Sequence, residues 1–288
     1  MALISSTPLL KHAREHNYCI GAFNVYTIDM LQSVVEAAME TDSPVILQTS
    51  IKKAKSYEID YFAAAAKVAS EHYNIPISLH LDHCKEIDLI DRSINAGYTS
   101  VMIDASDAPF DENVLITKKV VRMASAFGIN VEAEIGRVGG VEDDIIVGGE
   151  EAVLADPEVC EMFVNLTSVD TLAPAIGTAH GIYNSDPKID FLRIKNIADR
   201  VSVPLVLHGG SAIPDEAVKR CISLGMSKMN IATELRVIFS TKIREYLNEH
   251  ETEYDPRKYL VPAKNALKEF VIQKMNLCGC TGKARYFR

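Results

Sequence analysis

Eight times along this chain a short apolar or β-branched run gives way to a longer segment of helical period, and this alternation limits the fold more than any other feature. The strand candidates are Tyr18–Val25, Pro44–Ser50, Ile77–Asp82, Ser100–Ser106, Asn130–Gly136, Thr171–Gly177, Pro204–Gly210 and Ser227–Thr233. Between and after them lie helix candidates Asp29–Glu40, Glu58–His72, Glu86–Ala96, Glu112–Phe127, Pro157–Leu166, Phe191–Ala198, Asp215–Leu224 and Glu234–Asn248, many with an acidic or hydroxyl residue near the start. Strands that alternate with helices pair in parallel through crossovers. Eight such units in about 250 residues fit an α/β (β/α)8 TIM barrel. A doubly wound open sheet is the alternative, but "GAFNVYTIDM" stands after the first strand in place of a G-x-G-x-x-G turn. A last amphipathic stretch, Pro262–Met275, predicts an extra C-terminal helix. No linker divides the 288 residues, so 1–288 reads as a single domain.

The formal net charge of −9 argues against a nucleic-acid surface or an anionic membrane as partner, since both call for a cationic face. The N-terminal stretch has no basic segment followed by a long apolar one, and no run of 18 apolar residues occurs, which predicts a cytoplasmic protein. The six cysteines are scattered through apolar contexts and read as reduced thiols, Cys278-Gly-Cys280 included.

In such a barrel the reactive groups belong at the C-terminal strand ends. There the third strand offers Asp82 and His83, the fourth Asp104, the fifth Glu134, the sixth runs into His180, the seventh ends at His208, and the eighth holds Asn230 and Thr233. Taken singly, each histidine reads as a core or loop residue; three on one rim form the ligand set of a divalent metal with an open position. His80 shares the inward face with Asp82 and reads as support for the site. Asp104 and Glu134 either orient the histidines or hold a second or alternative metal.

The stretches "HGGSAIPDE" and "NIATEL" put small residues between a strand and a helix, where backbone N–H groups can hold an anion. They follow strands seven and eight, the recurrent phosphate site of barrels. Gly209, Gly210 and Ser211, with Asn230, Ile231, Ala232 and Thr233, are the candidate donors, and Gly181 adds another. After strand five, "GRVGGVEDDIIVGGEE" shows no apolar period and predicts a sixteen-residue loop, either a lid carrying Glu142, Asp143 and Asp144 or a plain solvated segment.

Through "LHLDHC", "SVMIDAS", "VEAEIGRVGGVEDD", "AIGTAHG", "PLVLHGGS" and "NIATEL", in order and over nearly its whole length, the chain resembles the class II, metal-dependent ketose-bisphosphate aldolases. Among these it looks most like the tagatose-1,6-bisphosphate and shorter fructose-1,6-bisphosphate enzymes. The resemblance implies that His83, His180 and His208 hold a catalytic Zn2+, and that Asp82 is the acid/base at the C4 hydroxyl. It places Asp104 and Glu134 at the metal's alternative or second position, and Glu142 at the C3 proton. It gives Gly181, Gly209 to Ser211 and Asn230 to Thr233 to the dihydroxyacetone-phosphate moiety, and Asn24 and Ser50 to substrate contacts. A monovalent cation is a further candidate.

The sugar is less sharply marked. Ala232, "GRVGGVEDD" and "GTAHG" lean toward the tagatose-type enzymes, whereas "YDPRKYL" looks like the fructose type, whose arginine at the place of Arg257 reaches the far phosphate, often in a neighbouring subunit. A homodimer or homotetramer is therefore expected, and some tagatose-type relatives need an accessory subunit. An aldolase for another phosphorylated ketose, a zinc hydrolase and a non-catalytic binding subunit are the competing readings. Lys228, which begins strand eight, is the lysine to exclude as a Schiff-base former.

Overall fold

The computed structural model describes residues 2–50, 58–142, 145–147, 153–181 and 187–288. Eight parallel strands close into a barrel: β1 (Ile20–Asn24), β2 (Val45–Ser50), β3 (Ile77–Cys84), β4 (Ser100–Ile103), β5 (Asn130–Ile135), β8 (Thr171–Pro174), β10 (Leu205–Leu207) and β11 (Met226–Ile231). Each neighbours its predecessor among these eight, and β1 closes on β11. Their residues are buried almost without exception, as parallel strands covered on both faces must be. The outer ring is α2 (Ile28–Glu40), α3 (Glu58–Tyr73), α4 (Ile87–Ala96), α5 (Phe110–Ser125), α6 (Pro157–Thr167), α7 (Phe191–Arg200), α8 (Asp215–Ser223) and α9 (Thr233–Glu249). Polar caps set several starts: Thr27 Oγ1 accepts from Met30 N, and Asp156 Oδ1 from Glu158 N and Val159 N.

Several elements depart from the sequence expectation. Helix α1 (Ser6–Glu15) packs beneath the strands, with Leu9, Leu10 and Ala13 buried and Ile4 N donating to Ile77 O at the start of β3. The extra helix, α10 (Pro256–Cys278), begins six residues before the expected Pro262. Asp255 caps it by accepting from Arg257 N and Pro256 fills the first turn, so Pro262 falls inside the helix, where it removes one hydrogen bond without ending it. The expected loop at 136–151 contains two strands, β6 (Gly139–Glu142) and β7 (Ile145–Val147), in an antiparallel pair; β6 also pairs in parallel with β9 (Ala179–His180). The three strands, in the order β7-β6-β9, form a small sheet of their own outside the barrel. Asp143 and Asp144 lie outside the described residues.

Candidate metal centre and phosphate loops

Asp82 and His83 are consecutive, so in a regular strand their side chains would point to opposite faces. They do not, because β3 is irregular there: Leu81 pairs with Val101 but Cys84 with Ile103, three steps against two. His83 takes up the extra residue in the left-handed region, φ 48°, an uncommon conformation for histidine. Both side chains are thereby buried at the same rim.

The second histidine arrives differently. Barrel strand β8 ends at Pro174 and not at Gly177 as the sequence suggests; His180 sits beyond it on β9, held over the rim by pairing with β6. The approach is tight, since a Cβ on Gly140 would lie 2.2 Å from His180 O. His208 directly follows β10. Nitrogens of His83, His180 and His208 lie within 4.8 Å of one another, with all three rings buried. A second group of the same span joins His83 to Asp104 and Glu134.

His83 Nε2 faces His208 Nδ1 at 2.9 Å, and each ring's other nitrogen meets a carboxylate: His83 Nδ1 with Asp104 Oδ2 and His208 Nε2 with Glu132 Oε1, both 2.9 Å. Two imidazole nitrogens turned toward each other with their outer nitrogens engaged form a site that a shared cation satisfies. Burial, then the neighbouring His83, holds His180 and His208 well below the ordinary imidazole range, in the neutral form that ligates metal. Burial alone would also lower His83, but Asp82, Asp104 and Glu134 outweigh it and raise that ring well above 6.5. Burial would raise Asp104, yet His83 and Ser106 hold it well below the carboxylate range. Glu134 goes the other way, pushed up to about 8 by burial and by Asp104, and its Oε2 makes no hydrogen bond among the described residues. The donor set fits a divalent metal.

Beside this cluster Asp82 is held on both oxygens: Asn24 Nδ2 donates to Oδ2 at 2.9 Å and Asn230 Nδ2 to Oδ1 at 3.2 Å. Gln48 Nε2 in turn donates to Asn24 Oδ1 at 2.8 Å. Ser50 Oγ is buried without a hydrogen bond among the described residues. On the other flank, Gly210 N donates to Asn230 O and Ala232 N to Ser211 Oγ, which ties the loops after β10 and β11 together. Ala232 occupies the N-cap of α9 and supplies no side-chain acceptor, so the first-turn N–H groups of that helix are left for an anion. Gly181 follows His180 at φ 97°.

One expected residue stands apart. Arg257 is exposed on the first turn of α10 and pairs with Asp255; α9 leads away from the rim for 17 residues, about 25 Å, before that turn. Glu142 ends β6, two residues beyond the Gly140 that pairs with His180, and its backbone is opposite Ile145. Lys228 is buried below the rim, 2.6 Å from Glu132 Oε2, in an ion pair that engages its amine. The His80 ring lies between Ser100 Oγ at 2.7 Å and Lys228 Nζ at 3.4 Å. Sequence reasoning passed over Glu132 and Gln48. Glu132 had a signal, because it precedes Glu134 by two and must share its inward face.

A family model described as Fructose-bisphosphate aldolase class-II matches residues 4–283. The structure is similar to that of the YdjI aldolase from Escherichia coli K12, with a TM-score of 0.86 and 33% identity over 98% of this chain and 99% of that one. It shares its fold with the fructose-bisphosphate aldolase (Fba) from Campylobacter jejuni, with a TM-score of 0.85 and 24% identity over 98% and 97% of the two chains.

Proposed function

The chain belongs to the class II fructose-bisphosphate aldolase family and is an aldolase, and we propose that it reversibly cleaves a ketose 1,6-bisphosphate to dihydroxyacetone phosphate and glyceraldehyde 3-phosphate. Tagatose 1,6-bisphosphate is the favoured sugar, with fructose 1,6-bisphosphate close behind. The observation that carries this is the placement of Asp82, fixed by Asn24 and Asn230, beside the three clustered imidazoles. His83, His180 and His208 are the residues that would hold Zn2+, with Asp104 and Glu134 at an alternative position. Bound there, zinc supplies a Lewis acid that polarises the substrate carbonyl and offsets the charge left on carbon.

Asp82, as carboxylate, takes the C4 hydroxyl proton while the C3–C4 bond breaks, so C4 leaves as the aldehyde. In the reverse direction it returns that proton. Its two amide donors hold both oxygens in register and admit no rotation that would turn the base from the cluster. Glu142 is assigned the proton at C3. The loops carrying Gly181, Gly209, Gly210 and Ser211 and the segment Asn230 to Thr233 receive the near phosphate, through backbone N–H groups other than those of Gly210 and Ala232, which Asn230 O and Ser211 Oγ engage; a chain of net charge −9 accepts an anion in this way. Arg257 serves the far phosphate from a neighbouring copy, in a homodimer or homotetramer. Residues 1–288 act as one catalytic domain in the cytoplasm. Among the described residues no helix is long and apolar enough to cross a membrane.

The test is a coupled assay for triose phosphates on both sugars, before chelation, after it and after zinc return. Chelator-sensitive cleavage supports the reading, and the ratio of the two kcat/KM values names the sugar. Absence of cleavage of either by zinc-loaded protein overturns the bisphosphate assignment and points to another phosphorylated ketose.

A further inference from the structure

Below the metal cluster the barrel interior is not apolar. Glu132 and Lys228 are both about 1% exposed and form an ion pair of 2.6 Å there. A buried ion pair is costly to desolvate, and a well-packed apolar pair is often equally stable. Fold stability alone therefore does not account for it.

The surrounding polar groups favour one arrangement of protons. Lys228 can only donate, so His80 Nε2, 3.4 Å away, accepts and His80 Nδ1–H donates to Ser100 Oγ at 2.7 Å. Ser100 in turn donates to Asn130 Oδ1 and accepts from Ser6, and Asn130 Nδ2 donates to Thr7 on α1. The network thus runs from the first turn of α1 up to Glu132. At its upper end Glu132 Oε1 lies 2.9 Å from His208 Nε2. With Lys228 donating to its other oxygen, Glu132 is a carboxylate that can only accept, so the proton between them sits on Nε2. The Asn230 amide gives one N–H to Asp82 Oδ1 and lies 3.3 Å from the same nitrogen, but the Glu132 oxygen is nearer, at 2.9 Å, and a lone pair on Nε2 would face that carboxylate. This leaves the lone pair of His208 on Nδ1, the nitrogen that faces His83.

We propose that Glu132, compensated by Lys228, is a positioning residue that locks His208 in the Nε2–H tautomer and so presents Nδ1 to the metal. The inference rests on the metal reading of the three histidines. Carboxylates in this outer position raise the basicity of an imidazole ligand and fix its ring.

Two double variants separate the role from a structural one. Glu132→Leu with Lys228→Met removes the acceptor and the charge together, leaving no orphaned ion; Glu132→Gln with Lys228→Met keeps a neutral acceptor. Thermal denaturation reports the fold, competition with a chromophoric chelator gives the zinc dissociation constant, and visible spectra of the cobalt-substituted proteins report ligand geometry. The Leu/Met protein is expected to bind zinc about 10- to 100-fold more weakly with an altered cobalt spectrum, and the Gln/Met protein to lie nearer the parent. Parental zinc affinity and cobalt spectrum in a folded Leu/Met protein overturn the proposal. A measurement on the zinc-loaded parent needs no variant: 15N histidine spectra should show His208 protonated at Nε2, and a protonated Nδ1 overturns the assignment. A parent that binds no zinc sinks the metal reading itself, a different result from either.

Discussion

The Asn24 carboxamide on β1 reaches across β2 to donate to Asp82 Oδ2 on β3 at 2.9 Å, and Gln48 on the intervening strand fixes which way that amide faces. A carboxylate so held would lose little entropy on reaching a proton-transfer geometry. Asp82→Asn keeps the shape but not the base. Its kcat is expected to fall about 10²- to 10⁴-fold, with zinc content unchanged. The coupled triose-phosphate assay and metal analysis check both, and a loss below tenfold removes Asp82 from the role.

Gly209, on the loop proposed to hold the near phosphate, lies against the strand that carries His180. It has φ 65°, and a Cβ there would stand 2.4 Å from Ala179 O, a backbone atom that cannot move without β9. Gly97 is a fitting control, left-handed at φ 104° with nothing within 4 Å of its would-be Cβ. Gly97→Ala should cost only the left-handed strain, about 1–2 kcal/mol. Gly209→Ala should cost more than that in thermal denaturation, and should weaken inhibition by inorganic phosphate. Equal costs for the two variants, with unchanged phosphate inhibition, would show that the loop tolerates the displacement.

Arg257 is exposed, and its pair with Asp255 is a surface one. Arg257→Ala should leave stability within about 0.5 kcal/mol of the parent. Its KM for the bisphosphate should rise about tenfold or more, the equivalent of one charge-assisted contact. Condensation of dihydroxyacetone phosphate with an aldehyde lacking phosphate should be unaffected. A matching rise for that aldehyde would assign Arg257 to something other than the far phosphate.

The barrel was legible because each of its strands is buried on both faces and therefore reads as an apolar run ending in a turn. Topology then brings the segments bearing His83, His180 and His208 to one rim, whatever their separation in sequence. The local geometry was not legible. A left-handed histidine at His83 carries no sequence mark, since the usual mark is glycine, and the two-residue strand under His180 is too short for any period. Helix α1 also escaped, because half of its surface is polar and its apolar residues cover only the strand ends. Glu132 was hidden for a different reason: within an apolar strand its alternation with Glu134 shows the face but not the partner, and Lys228 is 96 residues away.

Glu134 gives a pH test that needs no substrate. In the metal-free fold, burial and Asp104 push its carboxyl up to about 8 from an ordinary 4.5. Between those values the folded state keeps a proton that the unfolded chain has lost, so this contribution to stability is fully present below the lower value and is lost as pH rises through the upper one. His180 and His208 are shifted downward, so their contribution is complete above 6.5 and does not slope in the window from 6.5 to 8. His83, raised by Asp82 and its neighbours against its own burial, slopes the same way as Glu134. The thermal midpoint of chelator-treated protein should therefore fall as pH is raised from about 6.5 to about 8, and Glu134→Gln should flatten part of that fall. Because metal binding displaces protons from its ligands, added zinc should raise the midpoint more at the upper pH than at the lower. A midpoint that does not move with pH in the chelated protein would mean that neither Glu134 nor His83 holds an extra proton there.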